Sequence, residues 1–425
     1  MRSLTILILS CADKVKPILI MLLPIKLLRK IKKSIVNSSL SKLEKEMPLI
    51  SFSRPLNPDG VNLVGYIQGE TGLGQSCRLV AKSLEFANVN FEILNYNQVS
   101  AIRFRDQSLA HMITNSAKYN INLIHIAPHE ISLAYYMLGR NLWDWRYNIV
   151  YWLWELENFP PEWESTLILA DEVWTPSEFA SASIRKITEK PVLTIPYAFT
   201  EPIDILYDRE YFGLPKDKIL FLVMYDSSSV MERKNPMGAI RAYKQAFTHS
   251  DNHVGLVVKI NNSQKDDVVT IEGELAGYPH IYIVTDVLNK EEVDALIACV
   301  DVYVSLHRAE GFGLVPVEAM LLGTPVIATA WSAVTDFMNS DVACMVDYTL
   351  VEIDKDYGPF KKGNRWADPD IFQAAKYMQQ LYVDENLRTT LSHKAKIHIL
   401  KHFSSDKIAT LIQNRLLEIY EECEK

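Results

Sequence analysis

The sequence is poor in the features that mark secreted, zinc-binding and membrane-spanning proteins. Its five cysteines are scattered, without a C-x-x-C pair. A disulfide framework and a structural zinc are therefore not expected, and a reduced, cytoplasmic compartment is favoured. No apolar run reaches the roughly 18–20 residues that a transmembrane helix needs. The chain also lacks internal repeats and low-complexity tracts.

Excess positive charge is missing as well. The formal net charge is −8 and no compensating basic domain is evident, which argues against nucleic acid as a partner. The chain is 48% hydrophobic and 23% charged, values that are ordinary for a globular enzyme. At 425 residues, two domains of roughly 150–200 residues each are expected.

The N-terminus departs from this average. Residues 1–33 contain eight lysines and arginines against a single acid, Asp13, interleaved with short apolar runs. This pattern predicts a basic amphipathic segment that lies on an anionic membrane surface, which would place the protein peripherally on the inner face of the plasma membrane. A disordered leader or a misassigned start codon is the alternative. Residues 1–58 are interpreted as this leader and a linker.

Strand-like and helix-like segments alternate through the rest of the chain, which indicates doubly wound parallel sheets. The predicted strands are 61–67, 91–96, 121–126, 147–154, 171–175 and 191–197, then 219–226, 253–260, 280–285, 300–306, 324–330 and 342–348. We therefore predict an α/β chain with a first domain at 59–200 and a second at 201–403. Residues 404–425 are predicted to form a helix that crosses back to the first domain.

The stretch 305–320 has the pattern of a strand, a loop and a helix. The apolar, β-branched run 300–306 predicts a buried strand. Gly311 and Gly313 follow as loop residues, and Pro316 suits the first position of a helix.

Two carboxylates flank that loop. Glu310 is expected at the strand end, and Glu318 in the first helical turn, where the helix dipole favours negative charge. With Arg308 and the free amides of the loop nearby, the turn suits a polar, anionic ligand such as a nucleotide diphosphate.

Two further loops carry candidate ligand-binding residues. In the first domain, Gly72 and Gly74 lie between the first strand and a helix, where glycine allows close approach of the backbone to a ligand. A plain turn is the alternative. His125 ends another strand, where ligands gather in such folds, although a structural histidine is more common there.

In the second domain, Arg233 and Lys234 precede a helix that opens at Pro236, where cations can meet a diphosphate. Lys259, near the end of its strand, is a further candidate cation, with a snorkelling lysine as the alternative.

The run 151–163 is both aromatic and acidic. Aromatic faces stack on sugar rings and carboxylates accept hydrogen bonds from sugar hydroxyls, so the run suits an acceptor surface. The equally open alternative is that its tryptophans fill the core of the first domain.

The stretch from Glu310 to Glu318 resembles the E-x7-E signature of the retaining glycosyltransferases of family 4, which have the GT-B fold. Glu310 and Glu318 have the required spacing, and the Gly-Phe-Gly-Leu-x-Pro between them is intact. Segments 152–156 and 173–177 also resemble a bacterial subgroup that builds polysaccharides. The resemblance covers about residues 60–410 and is firmest over 219–330.

This resemblance implies two Rossmann-like domains that face each other across a cleft. A nucleotide-sugar donor would bind the second domain and a glycan or lipid-linked acceptor the first, with the anomeric configuration retained, in cell-surface polysaccharide or lipopolysaccharide synthesis. Glu318 would bind the ribose hydroxyls and Glu310 would lie near the donor sugar. Arg233, Lys234 and Lys259 would provide the positive charge.

The implied donor contacts extend to the loop and to the first domain. They comprise the stretch Gly311, Phe312, Gly313 and Leu314, together with Arg308, and on the acceptor side Gly72, Gly74 and His125. The family's usual arginine is replaced by Ser228, so Arg233 is the candidate substitute.

Neither a cofactor nor a metal is expected. Two Asp-x-Asp triplets occur at 354–356 and 368–370, but the second better suits a helix cap. The alternatives to a transferase are a GT-B-fold sugar-nucleotide epimerase and a non-catalytic sugar-nucleotide-binding subunit of a polysaccharide assembly complex.

Overall fold

A computed structural model describes residues 60–97, 103–201 and 205–423. Its strands form two parallel six-stranded sheets and one antiparallel hairpin. The predicted leader and linker, 1–58, lie outside these residues. In the described ranges, no helix combines the length and hydropathy needed to cross a bilayer. The thiols of Cys77, Cys299 and Cys344 are free.

The first sheet has the strand order β2-β1-β3-β4-β5-β6. Its strands are β1 Val61–Gly65, β2 Phe91–Asn95, β3 Ile121–His125, β4 Tyr147–Tyr151, β5 Glu172–Thr175 and β6 Val192–Thr194. Its helices are α1 Gly72–Phe86, α2 Pro128–Leu138, α3 Pro161–Glu164 and α4 Glu178–Arg185, with 3-10 turns at Ala110–Met112, Arg140–Leu142 and Ser165–Leu169. Strands β1 and β3 are buried at every residue, as expected for parallel strands covered on both faces.

The second sheet has the order β12-β11-β10-β7-β8-β9. Its strands are β7 Ile219–Asp226, β8 Val254–Asn261, β9 Ile281–Val284, β10 Val302–Ser305, β11 Val326–Thr329 and β12 Cys344–Val346. Its helices are α5 Met231–Lys234, α6 Pro236–Ala246, α7 Lys265–Glu274, α8 Lys290–Cys299, α9 Leu314–Leu321, α10 Ile371–Val383 and α11 Glu385–His402, with a 3-10 turn at Ser332–Asp336. The predicted pair of doubly wound parallel sheets is confirmed.

Several local predictions need correction. Helix α9 begins at Leu314, so Pro316 is its third residue and Glu318 lies beyond the first turn. Arg233 and Lys234 belong to the short helix α5 rather than to a loop.

The fourth predicted strand ends at Tyr151, and the last one is divided. Residues from Tyr348 onward form a separate hairpin, β13 Tyr348–Glu352 with β14 Arg365–Pro369, which the polar sequence of this region did not predict. Asp370 caps helix α10, as the predicted cap required.

The order of the strands in each sheet shows where ligand-binding loops are expected. In an open parallel sheet, ligands bind at the carboxyl ends of the strands where the order reverses. In the second sheet that point lies between β7 and β10, whose loops carry Arg233, Lys234 and Glu310. In the first sheet it lies between β1 and β3, at the loop before Gly72 and at His125.

The last helix, α12 Ser405–Cys423, packs on the first domain. Arg415 donates to the buried carboxylate of Glu172 on β5 at 2.6 Å. The amide of Gln413 donates to the carbonyl of Ala87 at 2.7 Å. The C-terminal helix therefore ties the two domains together.

Candidate active site

Two cations and one carboxylate meet where the second sheet reverses its order. The Nζ of Lys234 donates a hydrogen bond to Oε1 of Glu310, and Nη1 of Arg233 lies 3.5 Å from Oε2. Arg233 also donates to the carbonyl of Ala309 at 2.9 Å and to Oγ of Ser229 at 2.8 Å. These partners use only part of the guanidinium. Within the described chain its buried Nε has no hydrogen-bond partner, which is unusual for a buried donor.

The charges in this cluster determine the state of Glu310. Burial alone would raise its pKa, but the adjacent Lys234 and Arg233 outweigh burial and hold the pKa at about 2. Glu310 is therefore ionised at neutral pH. Lys234 and Arg233 are the two cations that the cluster offers to an anion.

The loop between Glu310 and α9 is held in a fixed conformation by its glycine and its phenylalanine. Gly313 has φ 101°, a left-handed conformation that favours glycine, and an added Cβ would lie 2.7 Å from Val334. Phe312 is buried among aromatic rings, including Tyr197 at 4.8 Å between centroids. Leu314 then begins helix α9, whose positive end favours negative charge.

Glu318 occupies a neighbouring position rather than the cluster itself. Its carboxylate is 3.1 Å from Nζ of Lys290 on α8, which also pairs with Asp294. Burial raises the pKa of Glu318, although Lys290 opposes the rise. Burial raises the pKa of the Tyr303 hydroxyl, and Glu310 and Glu318 both raise it further, so both carboxylates lie near this phenol.

Arg308 and Lys259, which were also predicted to bind the nucleotide-sugar donor, make contacts outside the Glu310 cluster. The guanidinium of Arg308 bonds Asp368 at 2.8 Å and stacks over Trp366 at 5.3 Å, so the hairpin holds it. Lys259 is fully buried and donates to Asn261 at 2.7 Å and to the carbonyl of Asp286 at 2.9 Å. Burial lowers its pKa to about 8. Their roles in ligand binding stay predictions.

The candidate ligand-binding residues of the first domain, Gly72, Gly74 and His125, have different surroundings. An added Cβ at Gly72 meets open space, whereas one at Gly74 would lie 1.9 Å from the carbonyl of Gly69, so Gly74 is required by packing. His125 is buried; its Nε2 is 2.6 Å from Oγ of Ser76 and its ring stacks on Tyr151. These surroundings are those of a structural histidine.

Comparison with known families identifies the domain that carries this cluster. Residues 208–398 match the family described as glycosyl transferases group 1. This match covers most of the second domain, which therefore resembles a group 1 glycosyltransferase domain. A putative glycosyltransferase, ORF313 of Acidianus filamentous virus 1, is 32% identical over 91 residues, a match covering 20% of this chain and only 29% of the viral protein.

Solved structures extend this likeness to the whole fold. Sucrose-phosphate synthase from Thermosynechococcus elongatus aligns with a TM-score of 0.62 at 14% identity, covering 85% of this chain and 100% of that one. Anabaena Alr3699/HepE, in complex with UDP and glucose, aligns at 0.59 with 14% identity over 85% and 100% of the two chains. S. aureus TarM aligns at 0.51 with 15% identity over 72% of this chain and 57% of its own. The chain therefore has the GT-B glycosyltransferase fold.

The first domain contacts the second domain at the Glu310 loop. Trp154 stacks on Phe360 of the second domain at 5.5 Å. The main chain of Trp154 lies so close to Gly311 that an added Cβ there would be 3.1 Å from its carbonyl oxygen. Trp152 and Trp154 are both buried. Trp152 stacks on Phe159 of its own domain, as the core interpretation predicted, whereas Trp154 is buried at the contact between the domains.

Sequence reasoning missed residues that position the cluster. Oγ of Ser332 accepts a 2.9 Å hydrogen bond from the amide of Glu310. Asn235, in the left-handed region with φ 50°, donates to the carbonyl of Leu306 at 2.8 Å and thereby ties the Lys234 turn to the end of β10. The Asn-Pro pair after two cations was the available signal for Asn235. For Ser332 there was none.

Proposed function

We propose that the protein is a retaining glycosyltransferase of family 4 that moves a sugar from a nucleotide-diphosphate donor to a hydroxyl of a glycan or lipid-linked acceptor. The observation that supports this most directly is the cluster of Lys234, Arg233 and Glu310 at the reversal of strand order in the second sheet. Its two cations, the free Nε of Arg233 and the start of α9 all favour a diphosphate.

In this proposal the donor pyrophosphate binds Lys234 and Arg233 and faces the amides of Phe312, Gly313 and Leu314. Charge grows on the pyrophosphate as its bond to the sugar breaks, and preorganised cations and amides stabilise that charge; one such donor is often worth roughly 3–4 kcal/mol. Glu310, held ionised, lies near the sugar hydroxyls. Glu318 would accept hydrogen bonds from the ribose and exchange part of its contact with Lys290 for them.

We propose retention of the anomeric configuration and a role in polysaccharide synthesis from the resemblance to family 4. The E-x7-E spacing supports retention, and segments 152–156 and 173–177 support a role in bacterial cell-surface polysaccharide synthesis. We propose that no metal or cofactor is needed, because Lys234 and Arg233 already supply the positive charge that a metal would bring to the diphosphate. Among the described residues, no group of three or more potential metal ligands is present.

The donor is best identified by a thermal-shift screen of purified protein against a panel of sugar nucleotides. UDP-sugars come first because HepE was solved with UDP and glucose, and TarM with UDP. A ligand at 100 times its Kd stabilises the folded state by about 2.7 kcal/mol. Release of nucleoside diphosphate from the stabilising donor is then measured. If no sugar nucleotide shifts the melting temperature and none is cleaved, the proposal is wrong; an altered sugar still attached to its nucleotide would identify an epimerase.

A further inference from the structure

One carboxylate of the first domain reaches the cluster in the second. Oε1 of Glu155 lies 3.9 Å from Nη1 of Arg233, the nitrogen that is 3.5 Å from Oε2 of Glu310. Carboxylates from the two domains thus share one guanidinium nitrogen. The side chain of Glu155 is 25% exposed against 11% for Glu310, so Glu155 is the more accessible of the two to an incoming molecule.

The position of Glu155 is fixed by its neighbours. Trp154 is anchored by its stack on Phe360 and by a 2.7 Å hydrogen bond from its Nε1 to the carbonyl of Asn158. On the other side, Glu155 packs on the loop between Glu310 and α9: an added Cβ at Gly311 would lie 3.5 Å from Cγ of Glu155. The absence of a side chain at Gly311 is what lets the two approach.

Glu155 and Glu310 differ in their remaining capacity to accept hydrogen bonds. Glu310 accepts a hydrogen bond from Lys234 and lies close to Arg233, so its oxygens are largely used. Glu155 has a 3.9 Å ion pair, a distance beyond a hydrogen bond. Its oxygens therefore retain the capacity to accept hydrogen bonds from a ligand.

We propose that Glu155 is an acceptor-binding residue, and that its carboxylate accepts a hydrogen bond from the acceptor hydroxyl that attacks the donor sugar. The inference rests on the proposed function. The attacking hydroxyl must come within reach of both the sugar and the departing diphosphate, and Glu155 is the first-domain carboxylate that the structure places beside the diphosphate-binding Arg233. The ligand class follows: a neutral sugar or polyol that presents a free hydroxyl group.

A purely positioning role predicts something different. If Glu155 only orients Arg233, its loss weakens donor cleavage by water and by acceptor alike. If it binds the acceptor hydroxyl, its loss lowers transfer and leaves hydrolysis of the donor intact. The ratio of the two reactions separates these roles.

The test compares Glu155→Gln with Glu157→Gln. Glu157 lies in the same segment and also makes a contact between domains, at 3.0 Å from Arg365, but it is outside the cluster. With the donor found by the thermal-shift screen, nucleoside diphosphate release is measured without acceptor and with the best acceptor from a panel of methyl glycosides and glycerol. Melting temperatures report folding.

We expect Glu155→Gln to hydrolyse the donor within about twofold of wild type, while acceptor-dependent transfer falls by about tenfold or more, with a higher acceptor KM, as for loss of a hydrogen bond to a charged group. Glu157→Gln should match wild type in both reactions. Equal losses in both reactions, or no loss in either, overturn the inference. So does a wild-type enzyme that hydrolyses the donor yet glycosylates no member of the panel. A protein that binds and cleaves no donor overturns the proposed function instead.

Discussion

The hydroxyl of Ser177 in the first domain donates a 2.7 Å hydrogen bond to the main-chain carbonyl of Gly311 in the second. Both residues are buried, so the loop between Glu310 and helix α9 is held from the opposite domain. The amide of Glu178 likewise donates to Asp336 at 2.6 Å. The geometry of the candidate site therefore depends on how closely the two domains approach at this loop.

Replacing Gly311 with alanine tests that dependence. The new Cβ would lie 3.1 Å from the carbonyl oxygen of Trp154, so the domains must separate by a few tenths of an ångström. Because catalysis is sensitive to small displacements of positioned groups, we expect kcat to fall by about tenfold. Gly273→Ala is the matched control: its Cβ meets open space within helix α7, and it should keep full activity and gain about 0.5–1 kcal/mol of stability. Wild-type kcat in Gly311→Ala would contradict the prediction.

Removing Lys234 tests the charge of the cluster. In Lys234→Ala, the departing diphosphate loses one cation, and we expect a drop of about 10²–10³ in kcat. Lys244→Ala is the control, since Lys244 also pairs with a glutamate, Glu274 at 2.7 Å, on helix α6 away from the cluster. Single-turnover release of nucleoside diphosphate gives the rate. Equal rates in the two variants would remove Lys234 from the site.

Glu318→Ala tests nucleotide binding rather than chemistry. If Glu318 holds the ribose hydroxyls, its loss should raise the Kd for the nucleoside diphosphate by about tenfold or more, measured by titration calorimetry. Asp294→Asn removes the other carboxylate partner of Lys290 and leaves Glu318 in place. That control should bind within about twofold of wild type. A Kd unchanged in Glu318→Ala would show that its pair with Lys290 is only structural.

Much of the fold was predictable because each buried parallel strand has its own local sequence pattern. The apolar, β-branched runs located every strand of the two parallel sheets to within a few residues, and the spacing of Glu310 and Glu318 located the loop beside β10. The hairpin from Tyr348 to Pro369 was missed because its half-exposed strands lack a continuous apolar run.

Contacts between distant residues were beyond sequence reasoning. The pair Ser177 and Gly311 is separated by 134 residues, and nothing local in either segment indicates that they meet. The tryptophans at 152 and 154 could have been core or a sugar platform, because the same amphipathic ring serves both uses. Only their burial decides between these interpretations.

The buried ion pair that attaches the C-terminal helix should be important for stability. Glu172 is fully buried and receives hydrogen bonds from Arg415 at 2.6 Å, Tyr147 at 2.9 Å and Trp174 at 2.6 Å. Arg415→Ala would leave that carboxylate without its counter-ion, and we expect a loss of about 3–5 kcal/mol in the free energy of unfolding. Glu418→Ala removes a largely exposed partner of the same arginine and should cost at most about 1 kcal/mol. Similar denaturation midpoints for the two variants would contradict this account.

The buried His125 predicts a pH dependence of stability. Burial lowers its pKa from 6.5 to about 4. Between these values the unfolded chain binds more protons than the folded one, so the free energy of unfolding falls as the pH drops from 6.5 to 4. The lost stability is about 3 kcal/mol. The corresponding window for Glu310, whose folded pKa is held near 2, lies below pH 4.5, so the histidine effect is observed first.

His125→Gln isolates this contribution, because glutamine does not titrate and can still bond to Oγ of Ser76, the partner of Nε2. Urea unfolding at pH 6.5 and at pH 4.5 gives the free energies to compare. We expect the wild type to lose about 2–3 kcal/mol more than His125→Gln between these two values. Parallel losses in the two proteins would mean that His125 is protonated as readily in the folded state as in the unfolded one. The packing of its ring on Tyr151 would then have to leave room for water at the imidazolium.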